Sequence, residues 1–191
     1  MGEGHGAGVA TLSPLSQPEL LGPSHDVSQF SCGKPSLDHW LKTRALVNQQ
    51  KGFTVVMVVH LAGRVAGYYG LAPTAIVPNS LPRPIRTGQP PNPMPCILLG
   101  QLATDQAWSG QGIGRGLYNH ALIRSVNAAT LIGGRALVVN AVDKAAASFW
   151  LQRGFLPSRD DKLVLFRSIF DIAASLRAAG ALGTDNLHDK S

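Results

Sequence analysis

The first half of the chain combines one helical pattern with two strand-like runs. Apolar residues recur three to four positions apart early in the chain, at Leu37, Trp40, Leu41 and Ala45. This spacing places them on one helical face, and Pro35 suits the first position of that helix. Two apolar runs follow at 53–60 and 65–77, separated by a short polar turn at 62–64. The pattern predicts a helix followed by a β-hairpin.

The second half alternates strands and helices after a proline-rich segment. Residues 78–95 carry seven prolines, which predicts a loop and excludes an inner strand. The elements predicted after it are a buried strand at 96–105, a glycine-rich turn, a helix from Ile113, a strand at 135–142, an alanine-rich helix at 143–152 and a last strand around 162–166. This order predicts one mixed α/β domain within residues 1–191, with a core at about 10–178 and flexible ends.

Composition excludes several classes of protein. Hydrophobic residues make up 45% of the 191 residues and charged residues 15%, which supports a packed core. No apolar stretch approaches the ~18 residues of a membrane span, and the N-terminus lacks the features of a signal peptide. Cys32 and Cys96 lie far apart, and the six histidines show no metal-ligand spacing. We therefore expect a cytoplasmic protein with no membrane segment, disulfide framework or metal.

The charge of the chain is basic and unevenly distributed. Seventeen Lys and Arg against eleven Asp and Glu give a formal charge of +6. Such a balance suits polyanionic partners, although it also serves solubility alone. The acids gather late in the chain, so the polyanion hypothesis belongs to its first two thirds. The candidate contacts to nucleic-acid phosphates are Lys42, Arg44, Lys51, Arg83 and Arg86.

The glycine-rich turn between strand and helix is typical of an anion site. Glycines let backbone N–H groups approach a phosphate, the helix N-terminus adds partial positive charge, and Arg115 adds a full charge. A P-loop requires Lys followed by Ser or Thr after its last glycine, and none is present. A dinucleotide fingerprint requires G-x-G-x-x-G and an acidic residue about 20 positions later. The chain instead has G-x-G-x-G at 112–116 and Ile132, so both patterns fail.

A third pattern fits this turn. The run WSGQGIGRGLYNHAL at 108–122 resembles the acetyl-CoA pyrophosphate loop of the GNAT family of N-acetyltransferases, whose signature is Q/R-x-x-G-x-G/A. In the usual register Gly112 and Gly114 are the glycines, and Ser109 stands where Gln or Arg is expected. A register shifted by two residues uses Gln111 to Gly116. Residues 143–155 match the family's downstream pattern D/N-x-x-A-x-x-F-Y-x-x-x-G-F in the right order, except for Trp150.

The resemblance implies a fold and a cofactor. It implies a central mixed, mostly antiparallel twisted sheet flanked by helices, with two neighbouring strands splayed to hold acetyl-CoA as acetyl donor. The strand before the turn would bind the pantetheine arm and polarise the thioester, and the turn would hold the pyrophosphate. The residues implied to bind the cofactor are Leu102, Ala103, Thr104, Gln111, Gly112, Ile113, Gly114, Arg115, Gly116, Asp143, Ala146 and Phe149.

Over residues 24–175 the chain is similar to one subgroup of this family in particular. The blocks at 26–52 and 63–73 and the Pro/Arg loop resemble toxins of toxin–antitoxin modules that acetylate aminoacyl-tRNA. This resemblance implies a ribbon-helix-helix antitoxin partner and a homodimer. An aminoacyl α-amine has a pKa near 8, against about 10.4 for Lys, so an appreciable fraction of it is neutral near pH 7 and a strong base is less necessary. The alternatives are a small amine or a protein N-terminus as acceptor, or a non-catalytic module that binds coenzyme A or antitoxin.

Trp150 is the departure that matters for the chemistry. The family has Tyr at this position as general acid to the departing thiolate. An indole N–H donates a hydrogen bond but delivers no proton at useful pH. Three interpretations stay open: the thiolate leaves unaided; Tyr118, Tyr68, Tyr69 or water supplies the proton; or the enzyme is weak or inactive.

Overall fold

The computed structural model describes residues 14–182, and the predicted flexible ends lie for the most part outside them. One seven-stranded sheet has the order β1-β2-β3-β4-β5-β7-β6. Its strands are β1 (Glu19–Leu20), β2 (Val55–Leu61), β3 (Arg64–Ile76), β4 (Met94–Thr104), β5 (Ala136–Asn140), β6 (Leu156–Pro157) and β7 (Val164–Ser168). Neighbouring strands are antiparallel except β4 and β5, so the predicted mixed, mostly antiparallel sheet is confirmed.

The β2–β3 hairpin forms where the sequence predicts it. Its register pairs Leu61 with Arg64, which leaves a two-residue turn of Ala62 and Gly63. Both turn residues have positive φ, 48° and 88°, the geometry that matches the right-handed twist of the flanking strands.

One face of the sheet, the α1 face, is covered by the N-terminal helical segment and the proline-rich loop. The segment comprises α1 (Pro35–Trp40), a π-helical turn (Leu41–Ala45) and α2 (Leu46–Gln50). Buried Leu41 and Ala45 pack with β2 and β3, where Trp40 stacks on Tyr68 at 5.9 Å between ring centroids. Farther along this face, the loop residues Leu81 and Ile85 pack against β4, β5 and β7.

The opposite face, the α3 face, holds the larger core. Its helices are α3 (Ile113–Ile132), α4 (Lys144–Leu151) and α5 (Ile169–Ala178). Their buried residues pack against the side chains of β2, β3, β4, β5 and β7 that point away from α1, among them Met57, Tyr69, Leu99, Val139 and Leu165. Within residues 14–182 no helix is long and apolar enough to cross a membrane.

Some element boundaries differ from the sequence prediction. Strand β4 begins at Met94, two residues early, and includes Pro95, because a proline near the start of a strand removes no inner ladder bond. Helix α5 was not predicted, although Ile169, Ile172 and Leu176 supply its buried face. Strands β1 and β6 have two residues each, too few for any periodicity to show.

Candidate active site

Strands β4 and β5 part halfway along β4. Their pairing runs from Ile97 opposite Leu137 to Leu99 opposite Val139, and β4 continues to Thr104. On its other side β4 carries a β-bulge, because Gly70 pairs with Gln101 and Leu71 with Leu99, which leaves Gly100 as the extra residue. A bulge bends its strand and increases the local twist. The splayed strand pair expected from the sequence is therefore present.

A cavity of about 690 Å³ opens at this splay, a volume typical of small-molecule sites. Its walls come from the end of β4, the first turns of α3, helix α4 and the start of α1. Nine residues predicted from the sequence line it: Leu102, Ala103, Thr104, Gly114, Arg115, Tyr118, Ala146, Phe149 and Trp150. The structure thus brings together residues from three separate stretches of the chain.

The N-terminus of α3 presents backbone donors beside this cavity. Gly112 is the N-cap residue, with φ 78°, and no side chain caps the helix. The N–H of Gly116 donates to the Gly112 carbonyl at 3.0 Å, so the N–H groups of the three residues between them have no partner within the helix. Together with exposed Arg115, this helix end can bind an anion.

Four predicted cofactor residues lie at the margin rather than in the cavity. Gln111, Gly112, Ile113 and Gly116 line an adjoining groove of about 450 Å³ beside Leu15–Pro18. The Ile113 side chain is 8% exposed and belongs to the core. Its backbone is therefore the part that a ligand at the helix end can reach.

Asp143 caps helix α4 and forms an ion pair with Lys34, a cavity residue that no sequence motif indicates. One carboxylate oxygen accepts the Ala146 N–H at 2.8 Å as N-cap, and the other accepts a hydrogen bond from Lys34 Nζ. Both interactions lower the pKa of Asp143, the Lys34 bond most. Lys34 lines the cavity, whereas Asp143 does not. The two residues are 109 positions apart, so no local pattern could have paired them.

Trp150 closes the cavity as part of an aromatic cluster. It is 8% exposed and contacts Phe149, Phe155 and Tyr118, with ring centroids 4.9, 5.1 and 6.0 Å away. Within residues 14–182 its indole N–H has no hydrogen-bond partner and is not sealed off, so it is available to a ligand. Arg153 joins the cluster, with its guanidinium carbon 3.4 Å from the Phe149 ring centroid and 5.7 Å from that of Tyr118.

The three tyrosines considered as substitute acids differ in position. The Tyr118 hydroxyl accepts a long bond of 3.4 Å from Arg167 while its ring lines the cavity. Fully buried Tyr68 donates to the Leu37 carbonyl at 2.8 Å, and fully buried Tyr69 bonds His120 Nδ1 at 2.8 Å. Burial raises the pKa of both hydroxyls, and neither residue lines the cavity.

The candidate phosphate-binding residues lie on elements that cover the α1 face. Lys42 and Arg44 are exposed on the π-helical turn, and Lys51 is exposed just after α2. Arg83 and Arg86 belong to the proline-rich loop, where Arg86 donates to Asn79 at 3.1 Å. Arg83 is exposed and Arg86 half-buried.

The structure also assembles a cluster of Glu19, His25 and His60 that no sequence spacing indicates. Each histidine Nδ1 accepts a backbone N–H, from Gly22 at 2.8 Å and from Gly63 at 3.0 Å. Each Nε2 lies 3.0 or 3.2 Å from the same Glu19 oxygen and is therefore its donor. A metal on the Nε2 atoms would move each ring proton to Nδ1, which could then no longer accept its backbone N–H. We therefore interpret the cluster as a structural hydrogen-bond network that links β1 to the hairpin.

Comparison with known proteins places this geometry among acetyltransferases that act on tRNA. No family model matches the chain. A tRNA-acetylating toxin of Mycobacterium tuberculosis is 37% identical over 163 residues, which cover 85% of this chain and 98% of the relative. The structure of AtaT complexed with acetyl-methionyl-tRNAfMet is similar with a TM-score of 0.77 and 25% identity, over 85% of this chain and 99% of the other.

A further solved structure shows the same fold with other ligands. It is a tyrosine-to-phenylalanine mutant of AtaT bound to the C-terminus of the antitoxin AtaR and acetyl-CoA. Its TM-score to this chain is 0.70 and its identity 25%, over 85% of this chain and 98% of the other.

Proposed function

The chain belongs to the family of tRNA-acetylating toxins, which are N-acetyltransferases with the GNAT fold, and on that premise we propose how its cavity carries out the reaction. The chain transfers an acetyl group from acetyl-CoA to the α-amino group of an aminoacyl-tRNA and so blocks translation. The observation that carries the proposal is the cavity at the β4–β5 splay, which opens beside an uncapped helix N-terminus.

The residues present fit the donor. The unpaired N–H groups at the start of α3, with Arg115, provide the positive potential that a pyrophosphate requires. The free edge of β4 from Leu102 to Thr104 offers backbone groups to the pantetheine arm, and Ala146 and Phe149 form an apolar wall. Backbone N–H groups at this edge would stabilise negative charge that develops on the thioester oxygen. Holding both reactants in one cavity contributes to the rate through proximity and orientation.

No carboxylate lines the cavity within residues 14–182. An acceptor that needs a strong general base, such as a Lys side chain, is therefore a poor match. An aminoacyl α-amine, with a pKa near 8, is roughly one tenth neutral at pH 7, against less than about one thousandth of a Lys side chain, so it depends far less on such a base. This difference supports an aminoacyl group as the acceptor.

We assign tRNA binding to the α1 face. The five candidates lie on or directly after the two elements that cover this face: Lys42, Arg44, Lys51, Arg83 and Arg86. Phosphate contacts contribute most of the affinity for nucleic acid, and each one adds about 0.7–0.9 to the slope of log affinity against log salt. Replacing Lys42 and Lys51 by Gln should raise the KM for charged tRNA and lower that slope, with kcat unchanged.

Further expectations concern assembly. We propose that the chain is a single catalytic domain, acts in the cytoplasm, forms a homodimer and is neutralised by a ribbon-helix-helix antitoxin. The exposed apolar side chains of Leu131, Ile132 and Phe170, 84%, 72% and 55% exposed, support an interface near the end of α3. The one continuous sheet supports the single domain.

The function is tested by transfer of labelled acetyl from acetyl-CoA to a mixed pool of charged tRNA. A Cβ at Gly114 would lie 3.2 Å from Thr104 Oγ1, at the cavity wall. Gly114→Val should therefore abolish transfer, whereas Gly22→Ala, whose Cβ meets only His25 Nδ1 at 3.8 Å, should leave it unchanged. Label on a small amine or a protein N-terminus, with none on charged tRNA, would contradict the assigned substrate.

A further inference from the structure

The residues lining the cavity offer no ready proton donor for a departing thiolate. Trp150 carries an indole N–H, which does not ionise at useful pH. The Tyr118 hydroxyl accepts a hydrogen bond from Arg167, which lies outside the cavity lining, so the hydroxyl is directed toward that residue. Lys34 is held by Asp143. A thiol with a pKa of about 8.5 leaves as an anion when no acid protonates it, so its negative charge must be stabilised in another way.

Three cations line the cavity, and their surroundings differ. Lys34 is already neutralised by Asp143, and Arg115 is exposed at the helix end where the phosphates are expected. Arg153 is half-buried against the aromatic cluster, and no carboxylate in residues 14–182 lies within ion-pair distance of it. Its charge is therefore uncompensated in a site walled by rings, where electrostatic interactions are less screened than in water.

The position of Arg153 is fixed by the last turn of α4, which it directly follows. Nη1 donates to the Phe149 carbonyl at 2.8 Å, and the guanidinium lies over the Phe149 ring. Trp150 contacts the same Phe149 ring and the Tyr118 ring that Arg153 also approaches. The hydrogen bond to the Phe149 carbonyl uses one of the five guanidinium N–H groups. The other four are left for a ligand beside Trp150.

We propose that Arg153 is a catalytic residue that stabilises the coenzyme A thiolate and so replaces the general acid that Trp150 does not provide. The inference rests on the proposed function. The amine nitrogen bonds to the thioester carbonyl carbon, the carbon–sulfur bond breaks, and its electron pair stays on sulfur. The amine proton goes to water. The sulfur anion accepts hydrogen bonds from guanidinium N–H groups until water protonates it.

The first test measures the thiol itself and needs no acetyl transfer. Coenzyme A bound to the protein is titrated by the ultraviolet absorbance of its thiolate, with coenzyme A lacking the sulfur atom as the blank. Arg153→Gln should raise the pKa of the bound thiol by about one pH unit relative to wild type. Arg159→Gln, which removes an exposed arginine charge outside the cavity lining, should leave that pKa unchanged. Equal thiol pKa values in Arg153→Gln and wild type would overturn the proposal.

The second test varies the leaving group. With acetyl-CoA, Arg153→Gln should lower kcat about 10²-fold, as removal of one preorganised donor does elsewhere. With an acetyl thioester whose thiol is made more acidic by an electron-withdrawing substituent, the loss should fall below about tenfold. An equal loss with both donors, or lost coenzyme A binding, would show that Arg153 serves binding or folding instead. If wild type acetylates no charged tRNA, the proposed function is wrong, and the thiol titration still decides the role of Arg153.

Discussion

Gly67 is the point at which strand β3 touches the helix that carries the proposed phosphate site. A Cβ built at this position would lie 2.7 Å from Leu117 Cδ1, 2.9 Å from Ile113 Cγ2 and 3.2 Å from the Ala103 carbonyl oxygen. The shortest of these is roughly 0.8 Å short of ordinary carbon contact at 3.5 Å. Leu117 and Ile113 are 1% and 8% exposed, so neither side chain can swing into solvent. Gly67→Ala must therefore push the first turns of α3 away from the sheet.

The displacement has a stability cost and a binding cost. Overpacking of this kind costs about 2 kcal/mol, and in a chain of this length that lowers Tm by roughly 4–8 °C. Ile113 is the first residue of α3, so its movement also misplaces the backbone donors beside it. Loss of one hydrogen bond to a charged phosphate weakens acetyl-CoA binding by about tenfold or more.

Calorimetric melting and isothermal titration with acetyl-CoA measure the two effects. Gly22→Ala introduces the same methyl group at an ordinary 3.8 Å contact and serves as the matched control. Adding Leu117→Ala to Gly67→Ala removes the worst clash, so the double variant should lose less stability than the two single changes summed. An unchanged Tm and acetyl-CoA affinity in Gly67→Ala would refute the reasoning that β3 sets the position of α3.

Three further predictions concern single side chains. Trp150→Tyr should raise kcat by no more than about tenfold, well short of the 10²–10⁴ of a required general acid, because Arg153 already stabilises the thiolate; steady-state kinetics measure this. Asp105→Ala should lower the free energy of unfolding by about 2 kcal/mol in denaturant titrations, because the buried carboxylate accepts the Ala107 and Ser31 N–H groups at 2.8 and 3.2 Å. Burial and Arg124 lower the pKa of His120, so the unfolded chain takes up its proton first, and stability should fall as pH drops below about 6.5. That part of the pH dependence should disappear in His120→Gln, whereas an unchanged profile would contradict it.

Local patterns predicted the elements whose apolar period was long enough to read. The hairpin turn at Ala62 and Gly63, the start of α3 after Gly112 and the strand–helix order of the second half all follow from such patterns. The apolar face of α5 is also legible in the sequence, at Ile169, Ile172 and Leu176. The two-residue strands β1 and β6 depend on their neighbours alone, and no period could have indicated them.

The residues of the candidate site likewise fall into those that local patterns predict and those that only the tertiary structure reveals. Motif spacing predicts that Gly114, Ala146 and Phe149 share one site, and all three line the cavity, because each lies on an element that the pattern defines. Lys34 is held at the cavity by its contact with Asp143, 109 positions away in the chain. Arg153 is held there by contacts with the rings of Tyr118 on α3 and Phe149 on α4. Such contacts depend on how elements pack, which the local sequence does not encode.

The central claim is most directly tested by the chemical identity of the product. Charged tRNA is incubated with acetyl-CoA and the purified protein and digested to nucleosides, and the aminoacyl adenosine from the 3′ end is examined by mass spectrometry. We expect an acetyl group on the α-amino nitrogen of the aminoacyl adenosine, and none when the tRNA is uncharged. An unmodified aminoacyl adenosine, from a protein that binds acetyl-CoA and acetylates another amine, would contradict it.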